Sequence, residues 1–128
     1  PALSAKADIV VCMLPLTPGT RKRLDASFFD GLKPGAAFVN VSRGEVVDQE
    51  ALVAALQSGQ LSGATLDVFE TEPLPADSPL WDMPGVLITP HLASVALPKS
   101  AAPQIAANIR AVLAGRAVSN EVSRVRGY

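Results

Sequence analysis

The chain contains one histidine, His91, which directly follows a short apolar run and the pair Thr89-Pro90. Histidine is the side chain best suited to proton transfer near neutral pH. Two acids, Glu70 and Glu72, precede it in a proline-rich segment, and long irregular segments are uncommon in compact domains unless they are functional or disordered. The sequence therefore raises the question of whether one of these acids meets His91. The alternative is a structural histidine beside a solvated loop carboxylate.

Arg43 lies at the end of another apolar run and precedes Gly44. The planar guanidinium group matches a carboxylate or a phosphate, so a small acidic substrate is one natural partner. Gly44 would allow the backbone to approach such a ligand closely. The structural alternative is a surface arginine that pairs with Glu45 or Asp48. The residues alone do not choose between these two interpretations.

Asp67 and Trp81 also have two interpretations each. Asp67 interrupts an apolar run. Because an unpaired buried charge is costly, its carboxylate either accepts hydrogen bonds from nearby backbone or meets the donors of a ligand. Trp81 is either a core side chain or part of the wall of a substrate pocket.

Apolar runs bounded by turn residues predict four strands, at residues 8–14, 36–41, 63–69 and 86–88. Apolar residues at helical spacing predict three helices, at residues 26–32, 49–58 and 98–114. Asp25 or Ser27 would cap the first helix and Asp48 the second, and Pro103 sits early enough for the third helix to begin after it. This alternation of strands and helices indicates an α/β fold with a parallel sheet.

The first predicted strand is apolar along almost its whole length, which is typical of a parallel strand covered on both faces. In parallel sheets of this class, ligands bind at the carboxyl ends of the strands. We therefore expect four segments to converge on one crevice: residues 15–17, residues 42–44, the segment after Asp67, and residues 89–91.

Composition narrows the class of protein. The chain has 128 residues, of which 48% are hydrophobic and 18% charged, as expected for one globular domain. A formal net charge of -1 gives no electrostatic reason to expect nucleic acid or an anionic membrane as a partner. The single cysteine, Cys12, excludes an intrachain disulfide, indicates a reducing, cytoplasmic location, and is more typical of a buried hydrophobe than of a nucleophile. No metal-ligand spacing, Ser/His/Asp motif or phosphate-binding P-loop is present.

Three motifs carry a resemblance to a known family. They are Asn40-Val41-Ser42-Arg43-Gly44, the nine residues DVFETEPLP at 67–75, and the six residues TPHLAS at 89–94. In this order they resemble the D-isomer-specific 2-hydroxyacid dehydrogenase family, and the likeness runs from about Asp8 to the C-terminus. The segment SPLW at 78–81 and the closing Arg126-Gly127-Tyr128 resemble the branch of that family that reduces glyoxylate and hydroxypyruvate.

The resemblance implies the second half of a Rossmann-type doubly wound parallel sheet, followed by a C-terminal helix and tail. Residues 1–97 would form the C-terminal part of an NAD(P)-binding domain, and residues 98–128 would return toward a substrate domain. The Gly-rich turn of the family lies upstream of position 1 in this comparison. We therefore expect a fragment that exposes a strand edge and apolar helix faces, binds cofactor weakly and turns over nothing by itself.

The resemblance also implies roles for individual residues. Arg43 would hold the substrate carboxylate and help to polarise the adjacent carbonyl. His91 would donate a proton to the carbonyl oxygen while NAD(P)H delivers hydride to carbon. Glu72, rather than Glu70, would orient His91 and favour its charged form. Trp81 would join Arg43 at the substrate. The residues expected along the cofactor are Leu14, Pro15, Leu16, Thr17, Val41, Ser42, Arg43, Asp67 and His91.

The parent protein is accordingly expected to reduce a small 2-keto acid to the D-2-hydroxy acid as a homodimer. The cofactor would be NAD or NADP, and the branch resemblance favours NADP. One alternative is a non-catalytic, nucleotide-sensing interaction protein on the same fold. The presence of Arg43, Glu72 and His91 together favours the enzyme over this alternative. Another is a fragment that persists as an assembly or domain-swapped piece.

Overall fold

The computed structural model describes residues 4–127, so residues 2 and 3 of the predicted N-terminal connector and the terminal Tyr128 lie outside the described part. Among the described residues, four parallel strands form one sheet in sequence order. The strands are β1 (Ile9–Cys12), β2 (Ala36–Asn40), β3 (Leu61–Leu66) and β4 (Val86–Ile88). Three α-helices are described: α1 (Ala26–Asp30), α2 (Gln49–Gln57) and α3 (Pro98–Leu113). The predicted α/β class is confirmed.

The sheet is in parallel register throughout, with Val10 opposite Phe38, Phe38 opposite Ala64, and Ala64 opposite Val86. Phe38 is fully buried and packs edge-to-face on Phe29 of α1, with ring centroids 5.4 Å apart. All four strands therefore end at the same edge of the sheet, and the loops that leave this edge are held close together.

The helix caps follow from side-chain chemistry. The Asp25 carboxylate accepts a hydrogen bond from the Phe28 amide, and the Asp48 carboxylate accepts one from the Ala51 amide. Each bond satisfies an amide that the first turn of a helix leaves without a backbone partner. Asp48 is confirmed as a cap, and of the two candidates for α1 the cap is Asp25, to which the Ser27 hydroxyl donates.

β1 and β3 differ most from the predicted strands. β3 runs from Leu61 to Leu66 rather than over residues 63–69, and beyond it the Phe69 amide bonds to the Glu72 carboxylate instead of to a neighbouring strand. β1 is not covered on both faces, since Ile9 is 62% exposed and Val11 is 52% exposed. Among the described residues β1 pairs only with β2, so its other edge is unpaired. The expected exposed strand edge is thus present.

The chain divides into two compact units, residues 1–93 and residues 94–128. The second unit contains α3, which begins at Pro98 and includes Pro103. A start after Pro103 is therefore wrong: the amides of Ser100 and Ala101 already bond to the Leu97 carbonyl, so the first turn forms before Pro103. The predicted division into a cofactor-binding part and a returning helix stays a prediction. Within residues 4–127, no helix is both long and apolar enough to cross a membrane.

Candidate active site

The segment that connects β3 to β4 brings Glu72 against His91. Glu72 Oε2 lies 2.8 Å from His91 Nδ1. The second carboxylate oxygen, Oε1, accepts the Phe69 amide at 3.0 Å, so the carboxylate is held through both oxygens. Because Nδ1 is occupied by Glu72, Nε2 is the ring nitrogen left to serve a ligand. The pair borders a pocket of about 360 Å³, which is lined by Asp67, Phe69, Glu72, Pro73, Pro90 and His91.

The electrostatics of Glu72 favour its ionised form. Burial alone would raise the pKa of the Glu72 carboxyl, but the hydrogen bonds from His91 and the Phe69 amide and the charges of His91 and Arg43 hold that pKa below its ordinary value. The carboxylate is therefore negative at neutral pH. A negative carboxylate at this distance fixes the orientation of the imidazole ring.

The other acid of the segment, Glu70, serves a different purpose. Its Oε1 accepts the amide of Gln49 at 3.0 Å and lies 3.3 Å from Lys22 Nζ. Glu70 therefore lies at the N-terminus of α2, where a carboxylate is favourable because amide groups there lack backbone partners. The structure brings Glu72, and not Glu70, to His91.

Asp67 organises the loop that carries His91. Its backbone carbonyl accepts the His91 amide at 2.9 Å. Its carboxylate accepts the Leu92 amide at 2.8 Å, the Ala93 amide at 2.9 Å and the hydroxyl of Thr89. Of the two interpretations of Asp67, hydrogen bonding to nearby backbone is observed. Contact with a ligand stays a prediction.

These bonds stabilise an unusual backbone conformation. His91 has a φ angle of 55°, in the left-handed region that residues other than glycine rarely adopt. Such a conformation costs on the order of 1 kcal/mol and persists only where surrounding contacts determine it. Here three consecutive amides, those of residues 91 to 93, bond to Asp67. Asp67 thus holds the backbone from which the His91 side chain extends.

Asp67 is itself ionised in this environment. It is 2% exposed, and burial alone would raise its pKa. The bonds from Thr89, Ala93 and Leu92, together with the charge of His91, outweigh burial and hold the pKa of Asp67 below its ordinary value. A buried carboxylate with this many donors is satisfied rather than costly.

Arg43 follows β2, with its side chain exposed. Its Nη1 donates to the Ser42 carbonyl at 2.7 Å. The surface pairings considered for Arg43 are made by other cations, since Glu45 pairs with Arg21 at 2.8 Å and Asp48 lies 3.8 Å from Lys22 Nζ. The guanidinium group is thus left accessible to an acidic ligand.

Gly44 makes a close approach, but to the protein's own backbone. A Cβ atom built on Gly44 would lie 1.8 Å from the carbonyl carbon of Phe69. No real Cβ tolerates that distance, so only glycine fits. The expectation that Gly44 admits a ligand is therefore corrected: it lets the loop after β2 lie directly against the loop after β3, which brings the Arg43 segment to that of Glu72.

The loops expected along the cofactor also meet at this edge. The Ser42 hydroxyl donates to the Leu14 carbonyl, which joins the loop after β1 to the loop after β2. Thr20 Oγ1 donates to the Pro15 carbonyl at 2.7 Å and accepts the Thr17 amide at 2.8 Å, which closes the loop after β1. Leu16 is half-buried in the same loop, and Val41 is half-buried next to Ser42.

Trp81 is not among the residues that line the pocket at His91. Its indole Nε1 donates to the Pro75 carbonyl at 2.9 Å, and the residue is 50% exposed. It is therefore not a core side chain, and its contact with substrate stays a prediction.

Among the described residues, no group of three or more His, Cys, Asp or Glu side chains could hold a metal ion.

No role was predicted from the sequence for two residues of this region, Asn40 and Thr89. Thr89 donates to the Asp67 carboxylate, and the Asn40 side chain bonds to the loop before Arg43 and to Arg43 itself. A signal was present for both. Each is a polar residue at the carboxyl end of an apolar run, where Asn and Thr commonly bond to backbone or to a neighbouring acid.

The fold and the site together define a class, the dinucleotide-binding α/β proteins with a Rossmann-type sheet. The family description "D-isomer specific 2-hydroxyacid dehydrogenase, NAD binding domain" matches residues 1–93. The chain belongs to the D-isomer specific 2-hydroxyacid dehydrogenase family. The predicted family resemblance and fold are thereby confirmed.

Two curated relatives are named glyoxylate/hydroxypyruvate reductase A. The protein from Serratia proteamaculans is 46% identical over 120 residues, covering 94% of this chain and 38% of that protein. The protein from Yersinia enterocolitica is 44% identical over 128 residues, covering 100% of this chain and 41% of that protein. The chain thus spans less than half the length of these relatives.

Solved structures agree in fold. A D-isomer specific 2-hydroxyacid dehydrogenase from Xanthobacter autotrophicus, in complex with NADPH and MES, is 57% identical with a TM-score of 0.96, covering 99% of this chain and 52% of that one. The NADPH-dependent glyoxylate/hydroxypyruvate reductase from Sinorhizobium meliloti, in complex with NADP and sulfate, is 36% identical with a TM-score of 0.92, covering 99% of this chain and 42% of that one. A probable 2-hydroxyacid dehydrogenase from Rhizobium etli, with NADP, HEPES and tartaric acid, has a TM-score of 0.89 at 37% identity, covering 99% of this chain and 42% of that one.

Proposed function

We propose that a longer protein containing this chain reduces a small 2-keto acid, of the size of glyoxylate or hydroxypyruvate, to the D-2-hydroxy acid. The observation that carries this proposal is the contact of Glu72 with His91 at 2.8 Å, beside a pocket at the carboxyl edge of the sheet. The names of the Serratia, Yersinia and Sinorhizobium relatives support the choice of substrate.

In this proposal each of three side chains has one role. Arg43 binds the substrate carboxylate through its exposed guanidinium group, which matches a carboxylate in shape and charge. His91 donates a proton from Nε2 to the carbonyl oxygen, and the nicotinamide cofactor supplies the hydride for the carbonyl carbon. Glu72 holds the imidazole in place and stabilises the charge that His91 carries before the transfer.

The chain's donors and acceptors fit the nicotinamide part of a cofactor. Asp67 lines the pocket, and its Oδ2 receives only the Ala93 amide, so acceptor capacity remains for a carboxamide group. Ser42 and Arg43 lie in the loop next to it, and the loop of residues 14–17 adjoins theirs through Leu14. NADP is the preferred cofactor in this proposal, since three related structures contain NADPH or NADP. A homodimer and a cytoplasmic location are part of the same proposal.

The alternative, a nucleotide-sensing protein without catalysis, shares the fold and the cofactor. It requires neither an arginine at the substrate nor an acid on the histidine. The Glu72 contact, made through a carboxylate whose pKa is lowered, favours the enzyme.

The test is reduction of glyoxylate by the purified full-length protein, followed through the loss of NADPH absorbance. We expect saturable turnover with NADPH and a lower kcat/KM with NADH. Binding of NADPH without turnover of glyoxylate, hydroxypyruvate or any other small 2-keto acid would favour the nucleotide-sensing alternative.

A further inference from the structure

We propose that Asn40 is a positioning residue, which sets the backbone of Arg43 and thereby the binding of the substrate carboxylate. The inference rests on the proposed function. Asn40 is the last residue of β2, and it is 1% exposed. A buried amide side chain is costly unless its donor and its acceptor are both satisfied. What satisfies the Asn40 amide is therefore informative.

Both ends of the Asn40 amide bond to the loop of Arg43. Oδ1 accepts the Ser42 amide at 3.1 Å, and Nδ2 donates to the Arg43 carbonyl at 3.2 Å. One short side chain thus closes the turn from β2 across Ser42 to Arg43. The Arg43 guanidinium is tied to the same turn through the Ser42 carbonyl at 2.7 Å. The backbone and the side chain of Arg43 therefore both depend on the turn that Asn40 closes.

Asn40 also connects the two halves of the site. Its backbone carbonyl accepts the Asp67 amide at 3.0 Å, and Asp67 in turn holds the loop of His91. The side chain of Asn40 thus serves the arginine, and its backbone serves the acid that positions the histidine. A substitution at Asn40 removes only the side-chain part. The Asp67 bond stays in place, because every residue except proline keeps the same backbone groups.

No other short side chain meets these requirements. The position needs an acceptor for the Ser42 amide and a donor for the Arg43 carbonyl. Both must be bonded to the same side-chain carbon atom. Aspartate offers acceptors only and would bury a negative charge, and serine has a single hydroxyl. An aspartate at position 40 would therefore leave the Arg43 carbonyl without its donor and repel it.

The consequence is specific to substrate binding. A loosened Arg43 weakens the contact with the carboxylate in the ground state and in the transition state alike, which raises KM with little change in kcat. Loss of one hydrogen bond of this kind corresponds to roughly a three- to tenfold change in the KM for the 2-keto acid.

The test compares Asn40→Asp and Asn40→Ala with the wild type in the full-length protein. The matched control is Asn108→Asp: Asn108 Nδ2 donates to the Ser119 carbonyl at 3.2 Å and Oδ1 accepts the Ser119 amide at 3.0 Å, so the same kind of bond is lost in the other unit. We expect both Asn40 variants to raise the KM for glyoxylate roughly three- to tenfold. The control should retain the wild-type KM.

A double-mutant cycle separates positioning from a general structural role. In the Arg43→Ala background, Asn40→Ala should have little further effect on the KM for glyoxylate, because the turn then positions no cationic side chain. An equal effect in both backgrounds, an unchanged KM in both Asn40 variants, or failure of both variants to fold in a thermal melt would overturn the inference. A wild-type protein that reduces no 2-keto acid would overturn the proposed function and this inference with it.

Discussion

Asp67→Asn is the substitution through which the loop of His91 is most directly perturbed. The change keeps the size of the side chain and removes its charge. An asparagine oxygen in the place of Oδ1 would still accept the Thr89 hydroxyl and the Leu92 amide. Its NH₂ group would then face the Ala93 amide, which bonds to Oδ2 at 2.9 Å in the native structure. Two donors would thus point at each other.

The cost follows from these contacts. A buried amide left without an acceptor costs about 1 to 3 kcal/mol, and each remaining bond loses the extra strength that a charged acceptor gives, on the order of 1 kcal/mol. Ala93 is exposed, so water replaces part of its lost bond. The terms add to about 3 to 5 kcal/mol, so we expect the free energy of unfolding to fall by about 3 kcal/mol, at the lower end of this range.

Activity should suffer more than stability. The left-handed conformation of His91 is held by bonds to Asp67, and a loosened loop would let His91 relax from it. Because displacement of a catalytic group by about 1 Å can cost up to 10²-fold in rate, we expect kcat for glyoxylate to fall by at least about tenfold.

The assay is urea-induced unfolding of the full-length protein together with steady-state kinetics. Asp77→Asn is the matched control, because Asp77 is an exposed carboxylate in the same connecting segment. It should alter the free energy of unfolding by less than about 0.5 kcal/mol. Wild-type stability and wild-type kcat in Asp67→Asn would refute the conclusion that Asp67 organises the loop.

Two further predictions concern stability. Gly44→Ala should lower the free energy of unfolding by at least about 2 kcal/mol, because its Cβ would lie 1.8 Å from the Phe69 carbonyl carbon, whereas Gly19→Ala, whose nearest neighbour lies at 3.9 Å, should be close to neutral; equal melting temperatures of the two variants would contradict this. The folded state lowers the pKa values of Asp67 and Glu72 below their ordinary values of 3.8 and 4.5, so the stability they contribute is present above those values and is lost as the pH falls through the folded ones. Urea unfolding at a series of pH values should show this loss in acid, with a smaller loss in Asp67→Asn, and an equal slope in both proteins would argue against it.

Much of the fold was predictable from local chemistry. Asp48 stands before an apolar, helix-forming stretch, and its capping bond needs nothing beyond the next three residues. The limits of β3 were not predictable in the same way. The apolar character of Val68 and Phe69 continues the strand pattern, but a carboxylate three residues later takes the Phe69 amide. An apolar pattern predicts which residues are buried. The end of a strand depends on which groups accept the hydrogen bonds of its backbone amides.

The site shows the same division. Residue types alone left Glu70 and Glu72 as equal candidates, and only the family motif favoured Glu72. The structure separates them because Glu70 bonds to the Gln49 amide, 21 residues back in the chain, and Glu72 meets His91, 19 residues ahead. Such partners are set by the topology of the sheet. Asp67 likewise bonds to residues 25 and 26 positions further on, which no local pattern announces.

The exposed side of β1 shows a different limit. An apolar run predicts that the side chains of a strand are buried by other segments, and this holds for Cys12, which is 4% exposed. The run does not say which segment covers it. Ile9 and Val11 remain exposed in the described residues, and the relatives, of which the chain spans less than half, contain further residues that could do so.

The role of His91 as proton donor is tested most directly by the turnover of His91→Asn in the full-length protein. Asparagine adopts the left-handed conformation more readily than most residues, so the loop should be preserved, but it cannot donate a proton as an imidazolium does. We predict that kcat for glyoxylate with NADPH falls by about 10²- to 10⁴-fold, an effect much larger than the change in the Kd for NADPH. Turnover at the wild-type rate would show that the pair formed by Glu72 and His91 does not carry the chemistry.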